Sequence, residues 1–318
     1  MAGRVATRLY ASLVSSIILL AFGWILVYEY SFKPLKMYGG LKFETVKTLE
    51  VAGLEWWKDF IALAFDVLII VVALVGSWWV IANIITEARE AVRWKTLRGK
   101  EPEVRRFTLW QIIQHWWMAL TFLVCVITGF AAYYDVLAPR QTLITLHVYS
   151  GLAMGVLVVI HFTQYTVEAL AAKARGESLR EKYPMLEIYS MNFLRNLWRA
   201  LIKPFKPEVK VGPYGKYNPE QLFEYWGVYW GIAILGIPGL IMLLYGPETL
   251  QGILWIMHFK EAILATAFIV MVHIAYTHLR PSVFPVDKVI FTGRMPLSRA
   301  KHEHPAWKID AAEESIAS

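Results

Sequence analysis

The sequence predicts an all-α integral membrane protein with about six transmembrane helices. Three observations carry that expectation. The chain has 318 residues, 57% of them hydrophobic, with a mean hydropathy of +0.44. Its apolar residues fall into six runs, each near the roughly 20 residues that an α-helix needs to cross a bilayer core. Lysine and arginine are segregated between alternate connections, 25 against 6.

The first run is Leu9 to Tyr28. Arg4 and Arg8 precede it as they would in a signal peptide. The run is too long for a signal core, however, and no small-x-small site follows it, so it reads as an uncleaved helix. A polar segment, Ser31 to Lys58, leads to a second run, Phe60 to Ile85. The charged stretch Glu87 to Arg106 is broken near Gly99 and Pro102. The remaining spans are expected at 107–134, 143–171, 223–245 and 253–276. Tryptophans near the span ends, among them Trp56, Trp57, Trp110 and Trp226, fit interfacial belts. The charge bias puts both termini in the cytoplasm of a multi-pass cell-membrane protein. The net charge of +7 is therefore topological and implies no nucleic-acid partner. In domain terms, residues 1–106 form an extension with two spans, 107–280 a four-helix core and 281–318 a cytoplasmic tail.

After the fourth span, Tyr189 to Lys203 sets an apolar stripe (Leu194, Leu197, Trp198, Leu201) beside a basic one (Arg195, Arg199, Lys203). It reads as an amphipathic helix lying on membrane lipid or packed on a partner subunit, and it ends at Pro204. No internal repeat emerges. The tail from Ser282 is polar, and its AAEESIAS end has the composition of a disordered segment.

Histidines carry the chemistry. His147 and His161 lie in the fourth span and His258 and His273 in the sixth. At about 100° per residue, a spacing of 14 returns to within roughly 40° of one face and a spacing of 15 to within roughly 60°, with rises of about 21 and 22 Å. Two helices so marked can offer two histidine pairs at two depths. Ionisable groups in a span are costly and point to function, and neutral imidazole is a good haem-iron ligand. The single cysteine, Cys125, holds no iron–sulfur cluster and no covalent haem. Two non-covalent b haems are expected, with any iron–sulfur relay on another subunit. His115 lies at the depth of His161 and His273, so either His115 or His161 could pair with His273. His278 reads as an interfacial histidine bonded to a haem propionate or water, although the surplus histidines admit a third haem. His302 and His304 read as solvated tail residues. Lys260 fits either a propionate partner or a snorkelling lysine, with Glu261 beside it, and Arg280 marks the positive-inside boundary.

From Arg106 to Trp307 the chain resembles the cytochrome b subunits of respiratory formate dehydrogenases, thiosulfate reductases and nickel–iron hydrogenases. The matching pieces, in order, are RFTLWQIIQHWWMALTFLVCVITGF, LHVYSGLAMGVLVVIH, GKYNPEQLFEYWG, HFKEAILATAFIVMVHIAYTHLRP and KHEHPAW. The resemblance implies a four-helix bundle with two b haems that exchanges electrons with menaquinone or ubiquinone. It implies His147 and His258 as the outer haem's ligands and His115 and His273 as the inner haem's. Lys216, Tyr217, Asn218 and Gln221 would then line the quinone region. His161 and the spacing of 15 instead resemble the Rieske-associated cytochrome b arrangement, where two helices supply all four ligands. They also resemble dihaem subunits encoded with multihaem cytochromes or molybdenum reductases. The two N-terminal spans lie outside the resemblance and are expected to dock a partner or support the bundle.

The function expected is that of a haem b-containing, quinone-reactive membrane subunit of a respiratory oxidoreductase complex. Its partner would be an iron–sulfur, multihaem cytochrome, molybdenum or nickel–iron subunit. A haem-free membrane anchor or transporter subunit is the alternative from another class.

Overall fold

The computed structural model describes residues 2–33, 54–89, 102–179, 183–206, 208–212 and 215–309. Residues 34–53 of the expected polar segment, 90–101 of the expected charged stretch and the terminal AAEESIAS run lie outside the described residues. Among the described residues the protein is 79% helical with almost no sheet. Among the described residues, six helices are long and apolar enough to cross a membrane: Ala6–Phe32, Trp57–Ala88, Leu109–Tyr134, Arg140–Ala174, Pro219–Tyr245 and Thr249–His278. Their outer surfaces carry large exposed apolar side chains, such as Ile17, Val159 and Leu244. Apolar side chains exposed along helices of that length need a covering, and lipid supplies it. This is an all-α, multi-pass membrane protein.

The elements are α1 (Ala2–Val27), α2 (Leu54–Arg89), β1 (Glu103–Arg105), α3 (Leu109–Tyr134), α4 (Arg140–Ala174), α5 (Met191–Ile202), α6 (Pro219–Tyr245), α7 (Ile253–Phe268), α8 (Val289–Thr292), β2 (Arg294–Pro296) and α9 (Leu297–Glu303). π-Helical turns continue α1 over Tyr28–Phe32 and α7 over Ile269–His278. The chain divides into two compact units, residues 1–91 with 227–287 and residues 92–226 with 288–318. This grouping follows packing rather than chain order.

In the first unit, α1 and α2 pack on the last membrane helix. Small residues allow the approach: a Cβ on Gly23 would collide with the Met271 side chain, and one on Gly76 would come within 2.8 Å of Val272. Hydroxyls add bonds across the contact, from Ser12 Oγ to the Leu279 carbonyl at 2.6 Å and from Ser16 Oγ to the Ala275 carbonyl at 3.2 Å. Trp24 Nε1 donates to Ser77 Oγ at 3.0 Å, joining α1 to α2. The two N-terminal spans thus support a helix that bears histidines.

In the second unit, α3 and α4 form an antiparallel pair. A capping box opens α3: Thr108 Oγ1 accepts from the Gln111 N–H at 3.2 Å, and the Gln111 side chain accepts from the Thr108 N–H at 3.0 Å. The tail folds back here. β1 and β2 pair antiparallel with Val104 opposite Met295, and Val104, Val289, Met295 and Ala300 make a small core edged by Trp307. Helix α5 is capped by Ser190 and buries Phe193, Asn196 and Ala200 on the protein, while Leu194 and Trp198 of the expected apolar stripe are exposed.

Candidate functional site: histidines of the two helical units

His147 stands on α4 with its ring against α3. Its Nδ1 donates to the Cys125 carbonyl at 2.9 Å, with Thr128 Oγ1 at 3.3 Å. Four residues after Cys125, on the same helix face, comes Gly129. A Cβ there would lie 3.2 Å from His147 Cε1, tighter than ordinary packing. The missing side chain lets the imidazole reach the backbone, where a helical carbonyl has a second lone pair to offer.

His258, in the other unit, is held in the same way. Its Nδ1 donates to the Leu235 carbonyl on α6 at 2.8 Å. Gly239, again four residues on, faces the ring, and a Cβ there would lie 3.3 Å from both Cε1 and Nδ1. The segments Cys125–Phe130 (CVITGF) and Leu235–Leu240 (LGIPGL) share isoleucine at the third place and glycine at the fifth, with the histidine 18 or 19 residues beyond the glycine. A short repeated motif therefore exists, although it is too brief and too apolar to stand out in the sequence. Its effect is chemical. Donating Nδ1–H to a carbonyl fixes the tautomer with the lone pair on Nε2 and fixes the ring's orientation, which is how proteins prepare a metal-ligating histidine.

The other candidates differ. His161 is buried on α4, and both ring nitrogens are bonded to protein: Nδ1 donates to Gln114 Oε1 at 2.8 Å, and Nε2 accepts from the Tyr225 hydroxyl at 2.6 Å. Tyr165 lies against the same ring, at 4.6 Å between centroids. These contacts describe a satisfied polar residue in a span. His115, one residue after Gln114, is partly buried on α3, with its ring edge-on to Trp116 at 5.6 Å.

His273 lies in the π-helical end of the last span, and its Nε2 is 3.0 Å from Nε2 of His278. In an α-helix, residues five apart point about 140° away from each other. The wider π turn brings them together, so the two rings meet edge to face at 4.6 Å. His278 thus bonds His273. Iron ligation through His273 Nε2 would exchange this bond for the metal.

Lys260 neither snorkels nor pairs with its neighbour. It is 4% exposed and meets Asp66 of α2 at 2.5 Å and the Tyr30 carbonyl at 2.6 Å. Glu261 is also buried, with its carboxyl against Gly231 of α6. Arg280 pairs with Glu87 of α2 at 3.3 Å.

The expected quinone segment is a helix start. Asn218 and Gln221 cap α6 reciprocally: Asn218 Oδ1 accepts from the Gln221 N–H at 2.8 Å, and Gln221 Oε1 accepts from the Asn218 N–H at 3.3 Å. Arg106, buried, donates from Nη2 to Gln221 Oε1 at 2.6 Å and to the Lys216 carbonyl at 3.2 Å. Lys216 Nζ sits over the Trp307 ring at 5.5 Å. Tyr217 lies beside Phe107 and Arg106, and burial pushes its hydroxyl pKa up to about 12. Sequence reasoning missed two residues of this cluster. One is Arg106. The other is His304, which is 1% exposed and donates from Nδ1 to the Gly215 carbonyl at 3.1 Å, so it is no solvated tail residue. His302, two residues earlier, is exposed, so the two histidines do not act as a pair.

Comparison with known protein families and with curated proteins gives no match.

Proposed function

We propose that this chain is a haem b-containing, quinone-reactive membrane subunit of a respiratory oxidoreductase complex, passing electrons between a redox partner subunit and the quinone pool. One observation carries the reading. His147 and His258, on different helix pairs, are each anchored through Nδ1 to a backbone carbonyl and each face a glycine four residues further on. Packing alone gives no reason to repeat that arrangement inside two apolar spans. From the sequence resemblance, His147 and His258 are assigned to one haem. For a second haem with His273, His115 fits better than His161, whose ring nitrogens are both bonded to protein.

Haem, when bound, supplies one-electron redox chemistry at a potential set by its ligands and surroundings. The protein's own part is to fix each imidazole and to sheathe it in apolar helices. In the second unit, Arg106, Gln221 and His304 offer donors and acceptors of the kind that quinone chemistry uses. The Lys and Arg bias supports a place in the cell membrane with both termini cytoplasmic. Tyr189, Met191, Leu194 and Trp198 are exposed beside basic Arg195 and Lys203, which suits contact with an anionic lipid surface. The redox partner's class is drawn from the sequence resemblance.

The alternative, a haem-free anchor or transporter subunit, draws on His161 and on the His273–His278 bond, where the protein satisfies its own histidines. The two readings separate on adding a quinol to the purified protein. Haem absorption bands should develop in the wild type and be diminished in His147→Ala and His258→Ala at unchanged helical circular dichroism. A colourless wild type supports the anchor or transporter.

A further inference from the structure

His304 carries a buried ring nitrogen that nothing in the described structure satisfies. Its Nδ1 proton is used on the Gly215 carbonyl at 3.1 Å, and its Nε2 is buried with no hydrogen-bond partner. The side chain is 1% exposed. An orphaned buried acceptor is uncommon and costly, so it calls for a bound group that completes it. The surroundings restrict what that group can be. Donation from Nδ1 fixes the tautomer, which leaves Nε2 as a lone pair and not a proton. Burial first, and then the Arg106 guanidinium, hold the His304 pKa down at about 3, so the ring stays neutral at physiological pH. The residue is tied to the cluster at the start of α6. Gly215 immediately precedes Lys216 and Tyr217, and Arg106 bonds both the Lys216 carbonyl and Gln221.

We infer that His304 Nε2 is the hydrogen-bond acceptor for a ligand hydroxyl at this cluster, and that the ligand is the hydroxyl-bearing, reduced form of a quinone. A quinone carbonyl would present lone pair to lone pair at Nε2, whereas a quinol O–H donates to it. The site thereby favours quinol over quinone. This inference rests on the quinone reading above and adds to it a residue from the tail and a preferred redox form. Water could complete Nε2 as well, but it would give no discrimination between ligands with and without a hydroxyl.

The test is equilibrium binding to the full purified protein of a long-chain alkyl naphthol, which keeps one quinol hydroxyl without redox cycling, and of its methyl ether. Wild type should bind the naphthol about ten-fold more tightly, the scale of one hydrogen bond to a buried acceptor. His304→Asn keeps a donor for the Gly215 carbonyl but has no acceptor at the Nε2 place, and it should lose the preference. His304→Gln sets an oxygen near that place and should restore part of it. Equal binding of naphthol and ether by wild type, or an undiminished preference in His304→Asn, overturns the inference while leaving the quinone reading standing. If neither probe binds wild type in competition with quinone, the quinone reading itself falls and takes this inference with it.

Discussion

Lys260 and Asp66 form a 2.5 Å ion pair inside the first unit, with side chains 4% and 1% exposed. The pair joins the helix that bears His258 to the second N-terminal span, and the Tyr30 carbonyl joins it to the first. Removing one partner of a buried pair strands the other charge, at about 3–5 kcal/mol, whereas replacing both with apolar groups is often neutral. Asp66→Asn or Lys260→Met alone should lower the thermal unfolding midpoint in detergent sharply. The double variant Asp66→Leu/Lys260→Met should recover most of it. Additive losses in the double variant would show that the pair is not coupled.

The glycines that face the ligand candidates are expected to be sensitive to size. Ala at Gly239 or Gly129 sets a methyl group about 3.3 or 3.2 Å from the imidazole, so the ring must shift by a few tenths of an ångström. The result should be reduced haem retention and an altered haem spectrum with helicity intact. Leu at either place should abolish retention of that haem. Haem-to-protein absorbance ratios of the purified variants check both.

His161 and His115 should behave differently. His161→Gln keeps polar contacts with Gln114 or Tyr225 and should leave the haem content of the protein unchanged. His115→Ala should remove one haem. A loss of haem in His161→Gln with none in His115→Ala would reverse the assignment.

The fold of the tail should depend on pH through His304. Its pKa lies at about 3 in the folded protein because of burial and then of Arg106, with Arg299 and Glu303 also facing it, against about 6.5 when exposed. A histidine buried neutral stabilises the fold fully above pH 6.5, and that contribution is lost as pH falls toward 3. By pH 5 the tail should be destabilised by on the order of 2 kcal/mol. Limited proteolysis between residues 297 and 309 should accelerate from pH 7 to pH 5, and His304→Gln should flatten the profile.

The six spans were legible because apolar length is a strong one-dimensional signal, and each expected span falls within or close to an observed helix. The capping box at Asn218 and Gln221 was also present in the sequence, as Asn-Pro-Glu-Gln ahead of an apolar run, although those residues were read for a quinone. Contacts between residues distant in sequence were not legible. Nothing local marks Asp66 as the partner of Lys260, 194 residues on. Hydropathy places His304 in a polar tail, yet β1 and β2 pairing folds that tail against residues 103–107 and buries the ring. The π turn that joins His273 to His278 is likewise invisible to reasoning that assumes 3.6 residues per turn.

The most direct test of the central claim is a pyridine haemochrome assay on the purified protein expressed with ample haem, giving haem type and haem per chain. The account predicts two b haems per chain. A folded protein that binds no haem under those conditions would contradict it.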